Sequence, residues 1–320
     1  MGRPFFSLPR LAGGERAALP VLMYHRVFHE FDPLQADIHT ARTMDTQFRT
    51  LARWFKVLPL DEAVSLLGEG RLPPRAACIT FDDGYRDNHD LAMPLLQKHG
   101  LTATFYVASG LLNGGVMFHD TLIETVRHAP TGPLDLGLRD VPKVTLSDMP
   151  SRVAALETLV QQIKYLDPDE REGLSERLLA ALGKHAPRHL MMDDAHVRAM
   201  ARAGMSMGGH TSQHHILARL DDTSAWEEIR SNADTLSNLT DQRVTSFAYP
   251  NGKPGTDYGP AHVDMVRRAG FLNAVSTRTG MGTRTAPRFE LPRFVLNETS
   301  AAGVVMRMLR MTAYTVGEGD

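Results

Sequence analysis

The sequence predicts an α/β fold built on a parallel sheet or barrel, with a mostly helical insertion. Three observations predict it. Continuous apolar runs such as Ala76-Ala77-Cys78-Ile79-Thr80-Phe81 suit strands buried on both faces. These runs alternate with helical patterns, the order expected of parallel strands joined by helices. Between about residues 110 and 203 that rhythm gives way to successive helical periodicities.

The elements follow in order. Residues 1–17 read as a loose leader and 18–320 as one barrel unit, interrupted by the insertion. The first strand is Pro20 to Val27. A helical pattern begins at Thr43-Met44-Asp45 and places Phe48, Leu51 and Trp54-Phe55 at helical spacing. Lys56 to Leu60 reads as a short strand. Asp61 is placed to cap a helix carrying Ala63, Val64, Leu66 and Leu67, which stops near Gly68 and Gly70. The run Ala76–Phe81 is followed by a helix from about Asn88 to His99, closed by Gly100. Leu101 to Ala108 is the next strand.

Within the insertion, Phe118 to His128 is amphipathic, and a Pro/Gly-rich stretch from Pro130 to Pro142 follows. Helical patterns then cover 150–166, 168–184 and 193–203. Met191, Met192, Met200, Met205 and Met207 read as core filler. The strand–helix rhythm resumes with a strand at Ser206 to His210, a helix at Ser224 to Leu239 and a strand at Thr245 to Tyr249. A helix at His262 to Ala269 precedes strands at Ala274 to Ser276 and Leu291 to Leu296. Thr299-Ser300 caps a last helix that runs to Met311.

Composition narrows the classes. The chain has 320 residues, 42% of them hydrophobic, enough for one large core or two modest ones. Lys and Arg total 35 against 37 Asp and Glu, a net charge of −2. That balance excludes disorder driven by charge and argues against a nucleic-acid partner. The single cysteine, Cys78, allows neither an internal disulfide nor a Cys-based zinc site, and its apolar neighbours place it in a buried strand. No apolar run approaches the ~20 residues of a membrane span. The patch Phe5-Phe6-Ser7-Leu8 is too short for a secretory signal, and Phe6 breaks the myristoylation pattern after Gly2. The expectation is a cytoplasmic location, or a periplasmic or extracellular one if a signal has been removed. Fourteen histidines are a high count that asks for an explanation.

Three motifs carry chemistry. Thr80-Phe81-Asp82-Asp83-Gly84-Tyr85 ends a buried strand in two adjacent carboxylates, costly unless something binds them. Both can face one cavity only where the strand is ending, and Gly84 permits that turn. In Gly208-Gly209-His210-Thr211-Ser212-Gln213-His214, two histidines four apart can chelate a metal, on a helix face or across a strand-to-loop turn. His215 has no assigned role. Two histidines and one aspartate make a facial triad that suits zinc or iron(II), leaving the other aspartate as a base. Adjacent carboxylates do not flank a sugar with ~5–9 Å between them, which argues against a glycosidase pair. Phe247-Ala248-Tyr249-Pro250-Asn251-Gly252 is a strand end and turn that can offer backbone N–H groups to an oxyanion.

These motifs, in this order, resemble the polysaccharide deacetylases of the NodB-homology type, carbohydrate esterase family 4. The resemblance covers residues 18–110 and 204–296. It implies a distorted (β/α) barrel with its site at the C-terminal ends of the strands. It also implies roles: Asp83, His210 and His214 as ligands of a divalent metal, Asp82 as the general base, and the Asn251 N–H as oxyanion donor. Zinc is the first choice, with cobalt, nickel and iron(II) as alternatives. The implied reaction removes N-acetyl groups from amino sugars, so an N-acetylated glycan is the expected partner.

Two positions depart from the pattern. Ala248 stands where many members have Arg, and no histidine follows His262 to complete the late Leu-x-His motif. One subgroup, similar to the deacetylases of poly-N-acetylglucosamine export, begins Pro-Val-Leu-x-Tyr-His and places its acid there. Pro20 to His25 matches, so His25 is the expected general acid. Arg293 is the candidate to orient Asp82 in place of the missing Arg, although Arg278, Arg284, Arg288 and Arg293 also read as a solvated rim or a contact for an anionic substrate. Two other readings remain: a hydrolase of a non-glycan amide on the same fold, and a glycan-binding relative without catalysis. The insertion's role and the oligomeric state are left open.

Overall fold

The computed structural model describes residues 8–138 and 143–317. Seven parallel strands are β1 (Val21–Tyr24), β2 (Ala76–Phe81), β3 (Thr104–Val107), β4 (Ser206–Gly209), β5 (Ser246–Ala248), β6 (Asn273–Thr279) and β7 (Leu291–Arg293). They pair side by side in chain order. The last meets the first: Met23 N–H donates to Phe294 O at 3.0 Å and Phe294 N–H to Val21 O at 3.1 Å. The result is a nearly closed β/α barrel. The short strand Lys56–Val57 joins the start of β2.

All six residues of β2 are buried, as its unbroken apolarity requires. Ala77, Ile79 and Phe81 point outward, into a core shared with α1 (Ala41–Trp54) and other surrounding helices. Cys78 faces the barrel interior beside Tyr106, Ala248, Val275 and Leu291. The period of two then turns Thr80 and Asp82 to the same inner side. Helix α2 (Leu60–Gly68) joins this interior cluster through Leu60, Ala63, Val64 and Leu67. Pro59, not Asp61, occupies its N-cap. Asp61 sits in the first turn and accepts hydrogen bonds from Thr245 Oγ1 and Asn273 Nδ2, so a tertiary contact takes the carboxylate from its capping role.

Two further expectations change in detail. The strand expected over Pro20 to Val27 breaks after Tyr24. There the His25 carbonyl accepts from Asn88 Nδ2 at 2.8 Å, and Val27 N–H donates to Asp87 Oδ1 at 3.1 Å. Side chains claim the groups that would have extended the ladder. The helix expected from Asn88 opens as a π-helical turn, Asn88–Ala92, before α3 (Met93–Lys98), and Gly100 follows with a left-handed φ of 65°.

The interrupting segment holds α4 (Phe118–His128), α5 (Met149–Ile163) and α6 (Pro168–Leu182). These share their own core, including Leu122, Val126, Leu159 and Leu174. The Pro/Gly-rich stretch forms an antiparallel hairpin, Gly132–Leu134 against Val144–Leu146; its residues 139–142 lie outside the described residues, as do leader residues 1–7. Helix α7 (Asp194–Arg202) packs instead against β4 and α8 (Asp222–Thr240). The five expected methionines are buried, and so is Cys78. After α9 (Pro260–Arg268), Ser300 caps α10 (Ala301–Met311) by accepting from Gly303 N–H. Among the described residues no helix is long and apolar enough to cross a membrane.

Candidate active site

The site residues gather where the strands end. β2 ends at Phe81, and the chain turns with Asp83 at φ 79° and Gly84 at φ 89°. That left-handed step breaks the alternation, so consecutive carboxylates face one cavity. A Cβ on Gly84 would lie 2.9 Å from Val107 Cγ1, so both conformation and space demand glycine there. His210 follows β4. Thr211 (φ 58°) and His214 (φ 56°) then fold the chain back, and the two imidazoles meet across this loop with centroids 4.8 Å apart. Of the two geometries open to His-x3-His, the loop is realised.

His210 Nε2 and His214 Nε2 each lie 3.3 Å from Asp83 Oδ1. His210 Nδ1–H donates to the Ala248 carbonyl at 2.7 Å. That bond fixes Nδ1 as a donor and turns Nε2 to Asp83: protonated, Nε2 donates to the carboxylate, and deprotonated it would offer its lone pair to an ion, the outer support typical of a metal-binding histidine. Burial alone would raise the Asp83 pKa, but hydrogen bonds from both histidines hold it well below the usual range. Burial keeps His214 below its ordinary value, whereas for His210 the aspartates outweigh burial and raise it. Two imidazole nitrogens and a carboxylate oxygen fit a divalent cation.

Asp82 is held differently. Arg293 Nη1 and Nη2 donate to its two oxygens at 2.7 Å each, a bidentate pair with both side chains buried. The guanidinium is itself anchored by Ser276 O and Thr80 Oγ1, each at 3.1 Å. Burial pushes the Asp82 pKa up; the charge and hydrogen bonds of Arg293 outweigh it, and the net shift is downward. Arg293 is therefore no part of a solvated rim: Arg278, Arg284 and Arg288 are exposed, while Arg293 lies inside the barrel. Ala248 belongs to the same interior cluster, so the departure at 248 coincides with an arginine entering from β7.

His25 lines the cavity rather than the core. Its side chain is 41% exposed, and Nε2 is 3.9 Å from Asp82 Oδ2. Asn251 sits in the left-handed region (φ 57°), with its carbonyl taken by Thr277 Oγ1 at 2.8 Å. No described residue accepts its N–H, so that donor is available at the mouth. His215 is half-buried, 3.5 Å from Glu228 Oε1, outside the ligand set.

The mouth cavity, about 420 Å³, is lined by barrel residues on one side and by α4 and α5 on the other. Sequence reasoning missed several of its supports. Asp120 on α4 accepts from Tyr85 OH at 3.1 Å and Arg26 Nη1 at 3.4 Å. Burial raises its pKa to about 7. His119 beside it is lowered to about 3, by burial and then by the charge of His214. Asn232 on α8 accepts from His210 N–H at 3.1 Å and donates to Val107 O, Ser109 Oγ and Thr211 O. A polar residue on an otherwise apolar helix face was the available signal for both Asp120 and Asn232.

Comparison with known proteins agrees with this fold. A polysaccharide deacetylase family model matches residues 69–129 and 178–273. YxkH of Bacillus subtilis, a polysaccharide deacetylase by name, is 20% identical over 283 residues, covering 87% of this chain and 71% of that protein. The poly-β-1,6-N-acetyl-D-glucosamine N-deacetylase of Staphylococcus epidermidis is 28% identical over 120 residues, 33% of this chain and 41% of its own length. Among solved structures, the deacetylase PplD of Streptococcus pyogenes superposes with a TM-score of 0.63 at 19% identity, covering 91% of this chain and 98% of that one. IcaB of Ammonifex degensii gives 0.58 at 18% identity, covering 92% and 97%. With its motifs, barrel and matched family model in agreement, this chain carries a polysaccharide deacetylase domain.

Proposed function

We propose that the protein is a cation-dependent N-deacetylase acting on N-acetylated amino sugars of a polysaccharide or other glycan. The observation that carries this reading is the convergence of Asp83, His210 and His214 beside the Arg293-bound Asp82 in one cavity. The relatives named as poly-N-acetylglucosamine deacetylases support the substrate class.

Asp83, His210 and His214 would hold the ion, with zinc preferred and cobalt, nickel and iron(II) as alternatives. Bound there, a divalent cation supplies Lewis acidity, lowering the pKa of water and polarising an amide carbonyl. Asp82, kept ionised by Arg293, takes a proton from the attacking water. The Asn251 N–H donates to the oxygen that gains charge as the carbonyl becomes tetrahedral. His25 gives a proton to the departing nitrogen. Water is thereby added across the C–N bond, and acetate and a free amine leave.

Acetate release from β-1,6- and β-1,4-linked N-acetylglucosamine oligomers, measured beside small cyclic amides, tests the proposal on zinc- or cobalt-loaded protein. Asp82→Asn and His25→Ala should each lower turnover by about 10²–10⁴-fold, with metal content unchanged. Full activity of Asp82→Asn on every active substrate refutes the mechanism. Turnover of cyclic amides alone redirects the substrate class, and glycan binding without acetate release points to a non-catalytic relative.

A further inference from the structure

Outside the mouth cavity, a second set of donor atoms converges. His89 and Asp90 lie on the π-helical turn Asn88–Ala92, and His196 lies in the first turn of α7. One ligand atom from each falls within 4.8 Å of the others. The two imidazole rings sit 4.5 Å apart at 50°. His89 Nδ1 is 2.8 Å from Asp90 Oδ1, so a proton there leaves Nε2 as a donor. His196 Nδ1 accepts from the Asp193 N–H at 3.1 Å in the capping box of α7 and lies 3.0 Å from the Asp193 carboxylate. An ion at Nε2 requires the ring proton to shift to Nδ1, where the Asp193 carboxylate 3.0 Å away can accept it; a carboxylate behind an imidazole strengthens it as a ligand.

We propose that His89, Asp90 and His196 form a second cation site, separate from the mouth, for a borderline divalent ion such as Zn²⁺. Two nitrogens and one oxygen suit that class of ion, with water completing the shell. Tetrahedral zinc with bonds of about 2.0–2.1 Å sets its ligands roughly 3.3 Å apart. The three side chains must therefore draw in, and their 16–41% exposure leaves them room. Arg86 opposes the site by pairing with Asp90 Oδ2 at 2.9 Å. An ion here would tie the turn that follows Asp82-Asp83-Gly84 to the helix that leads into β4.

The test is calorimetric titration of the full chain with Zn²⁺ alone. Wild type should bind two ions and His89→Ala or His196→Ala one, with circular dichroism unchanged. In the doubly substituted His210→Ala/His214→Ala chain one ion should remain, and adding His196→Ala should remove it. Arg86→Ala should tighten that remaining binding several-fold. Acetate release by His89→Ala should match wild type, which separates this site from the catalytic proposal. The inference is overturned if wild type binds one ion only, or if stoichiometry survives both His89→Ala and His196→Ala.

Discussion

A proposed base locked to a guanidinium shows what a single residue contributes here. Arg293 holds both oxygens of Asp82 and decides its charge state. In the folded protein the Asp82 pKa is depressed, so its ionisation stabilises the fold above the unfolded carboxylate value. That stability is lost as pH falls through the folded value. Arg293→Met removes the opposing charge and leaves burial to act alone, which raises the Asp82 pKa. The acid limb of the kcat/KM profile should then move to higher pH. Breaking a buried pair of this kind costs about 3–5 kcal/mol, so the melting temperature should fall as well. An unmoved acid limb in an Arg293→Met variant that still folds would show that Asp82 does not set it.

At the scale of elements, the strand ends share one device. Asp83, Thr211, His214 and Asn251 all adopt left-handed backbone, which re-aims side chains that strand periodicity would send apart. Asn232 on α8 braces one of these turns and the end of β3, bonding the backbone of His210, Thr211 and Val107. Asn232→Ala strands buried backbone groups at roughly 1–3 kcal/mol each. We expect a stability loss of about 2–4 kcal/mol and at least roughly tenfold weaker metal binding, read by chemical denaturation and by competition with a chelator. The strand-end motifs were legible because turn residues and ligand types are written locally. Asp61 was misread for the opposite reason: a good capping residue was claimed by Thr245 and Asn273 from distant strands.

For the whole molecule, α4 and α5 of the interrupting segment wall a cavity whose floor is the barrel. That placement brings Asp120 to the site and buries it. In the metal-free chain the folded Asp120 stays protonated up to about pH 7, whereas the unfolded carboxyl ionises near 3.8. Between those values the folded state holds the extra proton, so stability falls as pH rises, by about 1.4 kcal/mol per unit at most. Asp120→Asn should remove that fall. Its melting temperature relative to wild type should climb from pH 5 to pH 7 in the presence of chelator; a constant difference would show that Asp120 ionises normally. Metal should act on the whole fold: saturation at 100 times Kd adds about 2.7 kcal/mol, and chelation should reverse the gain in a thermal melt.

The sequence by itself determined what local pattern can carry. That includes the strand–helix order, the Asp-Asp-Gly and His-x3-His strand ends and the buried Cys78. Only the tertiary structure decided that Arg293 meets Asp82, 211 residues away, that β1 stops at His25, and that α4 brings Asp120 to the cavity. The physical reason is closure. A pattern with a period of two or 3.6 says which face a residue shares with its near neighbours. Which distant residue fills the barrel interior depends on β7 returning to pair with β1, and that is settled only by the assembled fold.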